Sequence, residues 1–444
     1  MFLRVDGDRR GRPLPSRRVN RRRGDRWSSP ARGSVVALAV ASAVVGAIPV
    51  QAQQPDSVVS APRLPATDLR EPERLLTGVD LVDDDFLGSW PMFGMDTRMK
   101  IGGYVKADFL YDHAGTLDGE QFLMSTIPVE GTEEYGNRGY FNAFAYESRL
   151  NFDVRRVAPG RPPLRLFVEG DFWPSGGSFR LRHAYVAAGD FIVGQTWTTL
   201  SALESLIISI DFAAGDALFG GRTAQIRYQK KVSDRWTIAT ALEQLSFLGI
   251  ENPDGQPGVA SQLLPLLAVR SDYSWDHGLL VLGSSMAQLR WDGGAAGPYA
   301  TALQWDVLVA GRQYFGSDYA AWNVAYGHGS GENIMAFAGS QANAVLTPSG
   351  DLETMPAFSL ALGYAHRWKP DLITNASYAY GWLETPLSRD PLALRKGGIA
   401  HVNLVWYPIP SFSTGIEYAY GVRRSASDAL GDASRWQAMA RFDF

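Results

Sequence analysis

The 444-residue chain contains no cysteine, which removes disulfide frameworks, CxxC redox motifs, thiolate metal sites and cysteine nucleophiles together. It also lacks an apolar run long enough for a membrane helix. Val35 to Ile48 is uninterrupted but falls short of the roughly 20 residues a bilayer core requires. The later uncharged stretch from Gly397 to Ile416 is broken by Pro408 and Pro410, so a helical membrane protein is excluded. A basic excess is missing as well: 42 Lys+Arg stand against 46 Asp+Glu, and eleven of the arginines fall within the first 52 residues. The remainder is acidic, without the cationic footprint that displaces counterions from nucleic-acid phosphates.

The amino-terminal 52 residues read as a secretory signal peptide with a long basic lead. An Arg-rich stretch precedes the apolar run, and Val50-Gln51-Ala52 supplies a small-residue cleavage site. Residues 53–95 hold Pro55, Pro62, Pro65, Pro72 and Pro91 and an acidic Asp83-Asp84-Asp85. They read as a Pro-rich, acidic periplasmic extension without a core of its own.

What the chain has in quantity is aromatics (13 Trp, 18 Tyr, 21 Phe), 46 Gly and two-residue alternation. In the first such segment Ile101, Val105, Phe109 and Tyr111 fall on one parity, and Lys100, Tyr104, Lys106 and Asp108 on the other. The same pattern predicts sixteen strands: 100–111, 143–155, 163–173, 179–188, 191–199, 222–230, 236–245, 266–274, 279–290, 301–313, 319–327, 357–368, 371–383, 399–408, 413–423 and 434–444. Their connections alternate between short ones, such as Gly189-Asp190 and Lys369-Pro370, and long ones at 112–142, 200–221, 246–265, 328–356 and 384–398. Short turns at one end and long loops at the other describe residues 96–444 as an all-β, 16-stranded antiparallel transmembrane barrel in a bacterial outer membrane.

The last strand sets Trp436, Ala438, Ala440, Phe442 and Phe444 against Arg435, Gln437, Arg441 and Asp443. A terminal Phe closing such a strand is what the barrel-insertion machinery would recognise. Trp173, Trp197, Trp236, Trp275, Trp291, Trp368, Trp406, Tyr407 and Trp436 lie near strand ends and suit girdles facing the lipid headgroups.

If the apolar parity faces lipid, the other lines an aqueous lumen. The expected pore-lining, anion-binding residues are Arg149, Arg165, Arg180, Arg182, Arg222, Arg227, Arg270 and Arg290, since the guanidinium fork donates paired hydrogen bonds to carboxylates at any relevant pH. Arg180 and Arg182 share a strand face; they form either an anion ladder or partners for Glu169 and Asp171. Loop 200–221 is expected to turn inward as a constriction, its Glu204, Asp211 and Asp216 confronting the wall arginines across a transverse field. The alternative for it is an ordinary surface loop. No HExxH, GxSxG, Walker or GxGxxG context occurs, so neither enzymatic activity, nor a metal, nor a cofactor is expected. A barrel hydrolase and a structural barrel without an open pore remain the alternatives to a diffusion porin.

Several segments together resemble the DcaP-like trimeric porins of bacterial outer membranes. They are Asp96-Thr-Arg-Met-Lys-Ile-Gly-Gly-Tyr-Val-Lys-Ala-Asp108, Glu147-Ser-Arg-Leu-Asn-Phe152, Phe167-Val-Glu-Gly-Asp-Phe172, Leu181-Arg-His-Ala-Tyr185, Gly194-Gln-Thr-Trp-Thr-Thr199, Gln225-Ile-Arg-Tyr228 and Glu417-Tyr-Ala-Tyr-Gly421. The resemblance implies a homotrimer passing small anionic solutes, dicarboxylates in particular, with Arg180, Arg182 and Arg227 in the matching motifs. Family members often carry an amino-terminal coiled coil, whereas residues 53–95 lack sustained heptads, which leaves trimerisation to the barrel walls.

Overall fold

The structure, a computed structural model, describes residues 81, 86–92, 96–116, 119–173, 177–213, 216–386 and 389–444. The signal-peptide reading of residues 1–52 and most of the 53–95 extension lie outside the described residues. Of that extension, Trp90–Pro91 pairs with Met99 and Arg98 at the start of the first strand.

Alternation becomes a barrel because one parity of each strand has lipid to face and the other has the barrel interior. The strands are β1 (Thr97–Ala114), β2 (Tyr140–Phe144 and Arg149–Arg156), β3 (Leu164–Asp171), β4 (Arg180–Ala188), β5 (Phe191–Trp197), β6 (Arg222–Ser233), β7 (Trp236–Glu243) and β8 (Leu266–Trp275). They continue as β9 (Gly278–Asp292), β10 (Tyr299–Phe315), β11 (Asp318–His328), β12 (Pro356–Lys369), β13 (Leu372–Leu383), β14 (Leu394–Ile409), β15 (Phe412–Ser425) and β16 (Leu430–Asp443). Each pairs antiparallel with the next, and β16 returns to β1 from Tyr104↔Asp443 to Ala114↔Ser434, so the sheet closes. All sixteen strands match segments expected from alternation. Tight turns are possible where glycine takes up a left-handed conformation, as at Gly189 (φ 55°) and Gly316 (φ 66°).

The outward face is apolar: Val105, Phe109, Leu166, Val193, Leu282, Val307 and Leu404 are exposed, while Lys106, Asp108, Asp112, Asp306 and Asn323 are buried within. Trp236, Trp368 and Trp406 stand outward near the short turns, as girdle residues should. Trp291 and Tyr407 are buried instead, and Trp173 and Trp197 border the interior cavity. These four are corrections to the girdle expectation.

A second departure concerns the inner face, which is not polar all round. On β8 to β15 it carries Ala268, Ala310, Ala325, Leu383, Ile399 and Ala419, which share one apolar cluster with Phe122, Met124, Ile127, Phe219, Ile334 and Phe337 from three long loops. Those loops fold back into the barrel and bury side chains each worth about 1.5–3 kcal/mol. Glycine lets them sit close: a Cβ at Gly363 would fall 2.2 Å from Ile207, and one at Gly415 would fall 2.9 Å from Ile210.

Candidate functional site

The loop between β5 and β6 crosses the lumen, and its course follows from its hydrogen bonds. Near its start Arg270 donates to the carbonyls of Thr199 and Ser201 at 3.3 and 3.2 Å. Arg312 then takes the carbonyl of Leu206 at 3.1 Å, and Asn323 donates to the Ser205 hydroxyl at 3.2 Å. At the far wall Glu417 accepts the N–H groups of Ile210 and Asp211 at 2.8 and 2.9 Å. Asn403 donates to both Glu417 and the Ile208 carbonyl, at 2.8 and 2.9 Å, and Lys106 donates to the Ile210 carbonyl at 2.8 Å. From above, the third inward loop adds backbone bonds: Gly220 N–H to Asn333 at 2.6 Å and Met335 N–H to Leu218 at 3.1 Å.

The acids of this loop are spent on holding it. Asp211 accepts the N–H groups of Phe122 and Ala213 at 3.1 and 2.9 Å, with Arg435 at 3.8 Å. Asp216 accepts the Met124 N–H at 2.7 Å, and both carboxylates are buried. Glu204 pairs with Arg270 at 3.2 Å. None of the three borders the cavity, so the expected transverse field from loop acids is corrected. Backbone N–H groups brought into the barrel need acceptors, and Asp211 and Asp216 provide them.

On the side of β1 to β6 a cavity of ≈ 910 Å³ remains open between wall and loop. The loop offers it an apolar face of Leu203, Leu206, Ile207, Ile208, Phe212 and Leu218; the wall offers charge. Arg149, Arg180, Arg182 and Arg222 all border it. Arg180 is bidentate on Asp171 at 2.9 and 2.7 Å, and Arg182 bridges Glu169 and Asp171 at 2.9 and 3.1 Å. Arg149 lies 3.7 Å from Glu169, and the guanidiniums of Arg149, Arg180 and Arg182 sit 5.9, 5.8 and 5.8 Å from the Phe212 ring centre. That ring stacks on Trp173 at 4.6 Å. Arg222 rests 4.5 Å over Trp197.

The other four expected arginines lie elsewhere. Arg165 is bidentate on Asp153 at 2.9 and 3.0 Å, and Arg227 donates to Gln225 at 2.9 Å. Arg270 ties the loop to Asp272. Arg290 is a plain correction: it shares its parity with exposed Leu282 and Met286, while Ala287, Leu289 and Trp291 point into the core, and it pairs with Asp292 beside the Tyr299 ring.

Two bordering cations were missed from the sequence, Lys106 and Arg441. Arg441 lies 3.7 Å over Tyr104 and pairs with Asp443, while Lys106 pairs with Glu147 and, at 3.0 Å, with Asp108. Their signal was alternation alone: both lie on the polar parity of strands whose pattern was plain. Glu332 of the third inward loop also borders the cavity, and burial pushes its carboxyl up against the pull of the Gln341 and Ala342 N–H groups and Arg389. Its negative charge therefore weakens at a higher pH than that of an ordinary glutamate.

The family model described as DcaP outer membrane protein matches residues 86–444. No curated protein is similar enough in sequence to match. Among solved structures, the outer membrane channel DcaP of Acinetobacter baumannii superposes with a TM-score of 0.68 at 17% identity, covering 81% of this chain and 100% of that one. The anion-selective porin from Comamonas acidovorans gives 0.55 at 12% identity, over 78% and 100%. OmpT of Vibrio cholerae in its trimer form gives 0.50 at 13%, over 79% and 100%. At these identities the likeness is one of fold.

Proposed function

The chain belongs to the DcaP outer membrane protein family, and on that premise we propose that it passes small anions, dicarboxylates among them, by diffusion along one side of its lumen, as a homotrimer. It is an outer-membrane barrel of the channel-forming kind. The observation that carries the anion reading is the border of the cavity. Six cations (Lys106, Arg149, Arg180, Arg182, Arg222 and Arg441) face four carboxylates (Glu147, Glu169, Glu332 and Asp443). The apolar loop face opposite adds no negative charge and lowers the local dielectric, which lengthens the reach of the wall's field. The paired arginines keep their guanidiniums fixed, so a passing carboxylate meets oriented donors rather than mobile ones.

Export through residues 1–52 and recognition of the closing strand by the barrel-insertion machinery belong to the same reading. Phe442 and Phe444 stand exposed on the outward face of that strand.

Reconstitution into planar bilayers tests the proposal. In a KCl gradient the reversal potential is expected to report chloride preference, with conductance steps grouped in threes. Potassium preference would overturn the anion reading, and a folded but silent protein would overturn the channel itself.

A further inference from the structure

β14 and β15 each carry two neighbouring cations at their outer ends, Arg395-Lys396 and Arg423-Arg424. On β15 alternation separates the pair. Arg423 points inward and donates to the carbonyls of Ser125 and Ile127 at 2.6 and 2.9 Å, whereas Arg424 continues the outward row of Ile416, Tyr418, Tyr420 and Val422. On β14 a bulge falls between Leu394 and Lys396. Leu394 joins the inner apolar cluster, while Lys396 stands opposite Trp382 of β13 on one side and Arg424 on the other. The extra residue of the bulge, Arg395, reaches Asp428, which also takes Arg424 at 3.1 Å.

The depth of this row follows from counting along the strands. Trp406 stands outward near the short turn and pairs with Thr414; Lys396 and Arg424 lie ten residues further along β14 and β15. Ten residues rise about 33 Å, and a tilt of roughly 35–45° leaves about 23–27 Å across the membrane, the height of the apolar band of such barrels. The row therefore stands at the outer headgroup layer. Its charge is not consumed within the protein. Arg395 and Arg424 share one carboxylate that is itself 53% exposed, and among the described residues Lys396 makes no ion pair or hydrogen bond. The other acid of this strand face, Asp432 opposite Val422, leaves the cations in excess. One step deeper Ala400 lies between its two cross-strand partners Tyr378 and Tyr420, both exposed, as aromatic residues at a headgroup boundary are.

We propose that this row is a binding site for the phosphorylated headgroup of an outer-leaflet glycolipid. Arg395 and Arg424 offer a phosphate paired donors and Lys396 adds a compact charge, while Trp382, Tyr378 and Tyr420 receive the sugar and the start of the acyl chains. A lipid is the source of the phosphate because the row faces outward above a lipid-facing aromatic strip, and none of these residues borders the interior cavity. The site is separate from the solute path. It rests on the outer-membrane barrel alone and stands whichever ion the lumen prefers.

Native mass spectrometry of the full-length protein in detergent, titrated with diphosphorylated lipid A, tests the assignment. The native chain is expected to retain this lipid and to retain lipid A stripped of its phosphates far less. Lys396→Gln should weaken binding about fivefold and Lys396→Gln with Arg424→Gln about thirtyfold, as for one and two cations withdrawn from an anionic lipid surface. Lys231→Gln, on the turn after β6 with its side chain 56% exposed, should bind as the native chain does. Lys396 has no carboxylate to strand, so its single variant is expected to keep the circular dichroism of the folded barrel. Equal retention of both lipids, or native affinity in Lys396→Gln, overturns the inference. Equal weakening in Lys231→Gln also overturns it, by assigning the binding to net charge. Displacement of the lipid by millimolar inorganic phosphate would make free phosphate the ligand and overturn the lipid assignment.

Discussion

Arg180 and Arg182 show how far two neighbouring residues of one type can differ in role. The Arg180 side chain is 31% exposed and holds Asp171 from the edge of the cavity, whereas that of Arg182 is 2% exposed and sits between Glu169 and Asp171. Removing the exposed partner leaves Asp171 held by Arg182; removing the buried one leaves buried Glu169, among the described residues, with only Arg149, 3.7 Å away, in a low dielectric. Arg180→Ala is therefore expected to lower chloride preference in the reversal potential while the barrel keeps its denaturant midpoint. Arg182→Ala is expected to cost about 3–5 kcal/mol of stability, read from urea unfolding of the reconstituted barrel. Equal midpoints for the two variants would refute this division. Of the two readings of the pair weighed from sequence, the structure shows the partners for wall acids, since both arginines are engaged by Glu169 and Asp171; the anion ladder belongs to the proposed function.

At the scale of elements, the strands were legible and the interior was not. A lipid-facing residue has one acceptable chemistry, so two-residue alternation located all sixteen strands. The lumen has no such rule, because an inner face can meet water or a loop. In β9, Leu279, Val281 and Leu289 join or pack on the apolar cluster, while Leu282 and Met286 face out; both parities are apolar, and the side taken by Arg290 could not be read. Tyr407 was misread for the same reason, since it packs with Ile210 of the inward loop. That loop's own docking depends on partners far away in sequence, Glu417 above all, which no local pattern announces. Charge-assisted hydrogen bonds of this kind contribute about 1.5–3 kcal/mol each. Glu417→Ala removes the acceptor for two loop N–H groups and is expected to give larger, noisier single-channel currents. Glu417→Gln, which keeps a carbonyl oxygen, should fall between that variant and the native chain. Native conductance and native noise in Glu417→Ala would mean that the apolar seat of Ile210 holds the tip alone.

Taken whole, the molecule divides its lumen. Along β8 to β15 small and apolar wall residues receive three inward loops, and along β1 to β6 charged residues border the space the loops leave open. On the proposed reading a solute follows the charged side, meeting no acid of the β5–β6 loop but passing Glu332 of the third inward loop. Single cysteines in the otherwise cysteine-free chain separate the two halves. Asn151 and Ser246 border the cavity, whereas Ser359 and Asn375 are buried behind the loop against the opposite wall. Asn151→Cys and Ser246→Cys should react with a small anionic thiol reagent in the open channel and lose current as they do. Ser359→Cys and Asn375→Cys should react only after unfolding. A current drop at Ser359→Cys would require water and ions to run behind the loop, and the selectivity would then belong to two paths with different walls rather than to the arginine-bearing side alone. Faster modification of Asn151→Cys by an anionic reagent than by a cationic one of the same size would tie that single path to the charge along its border.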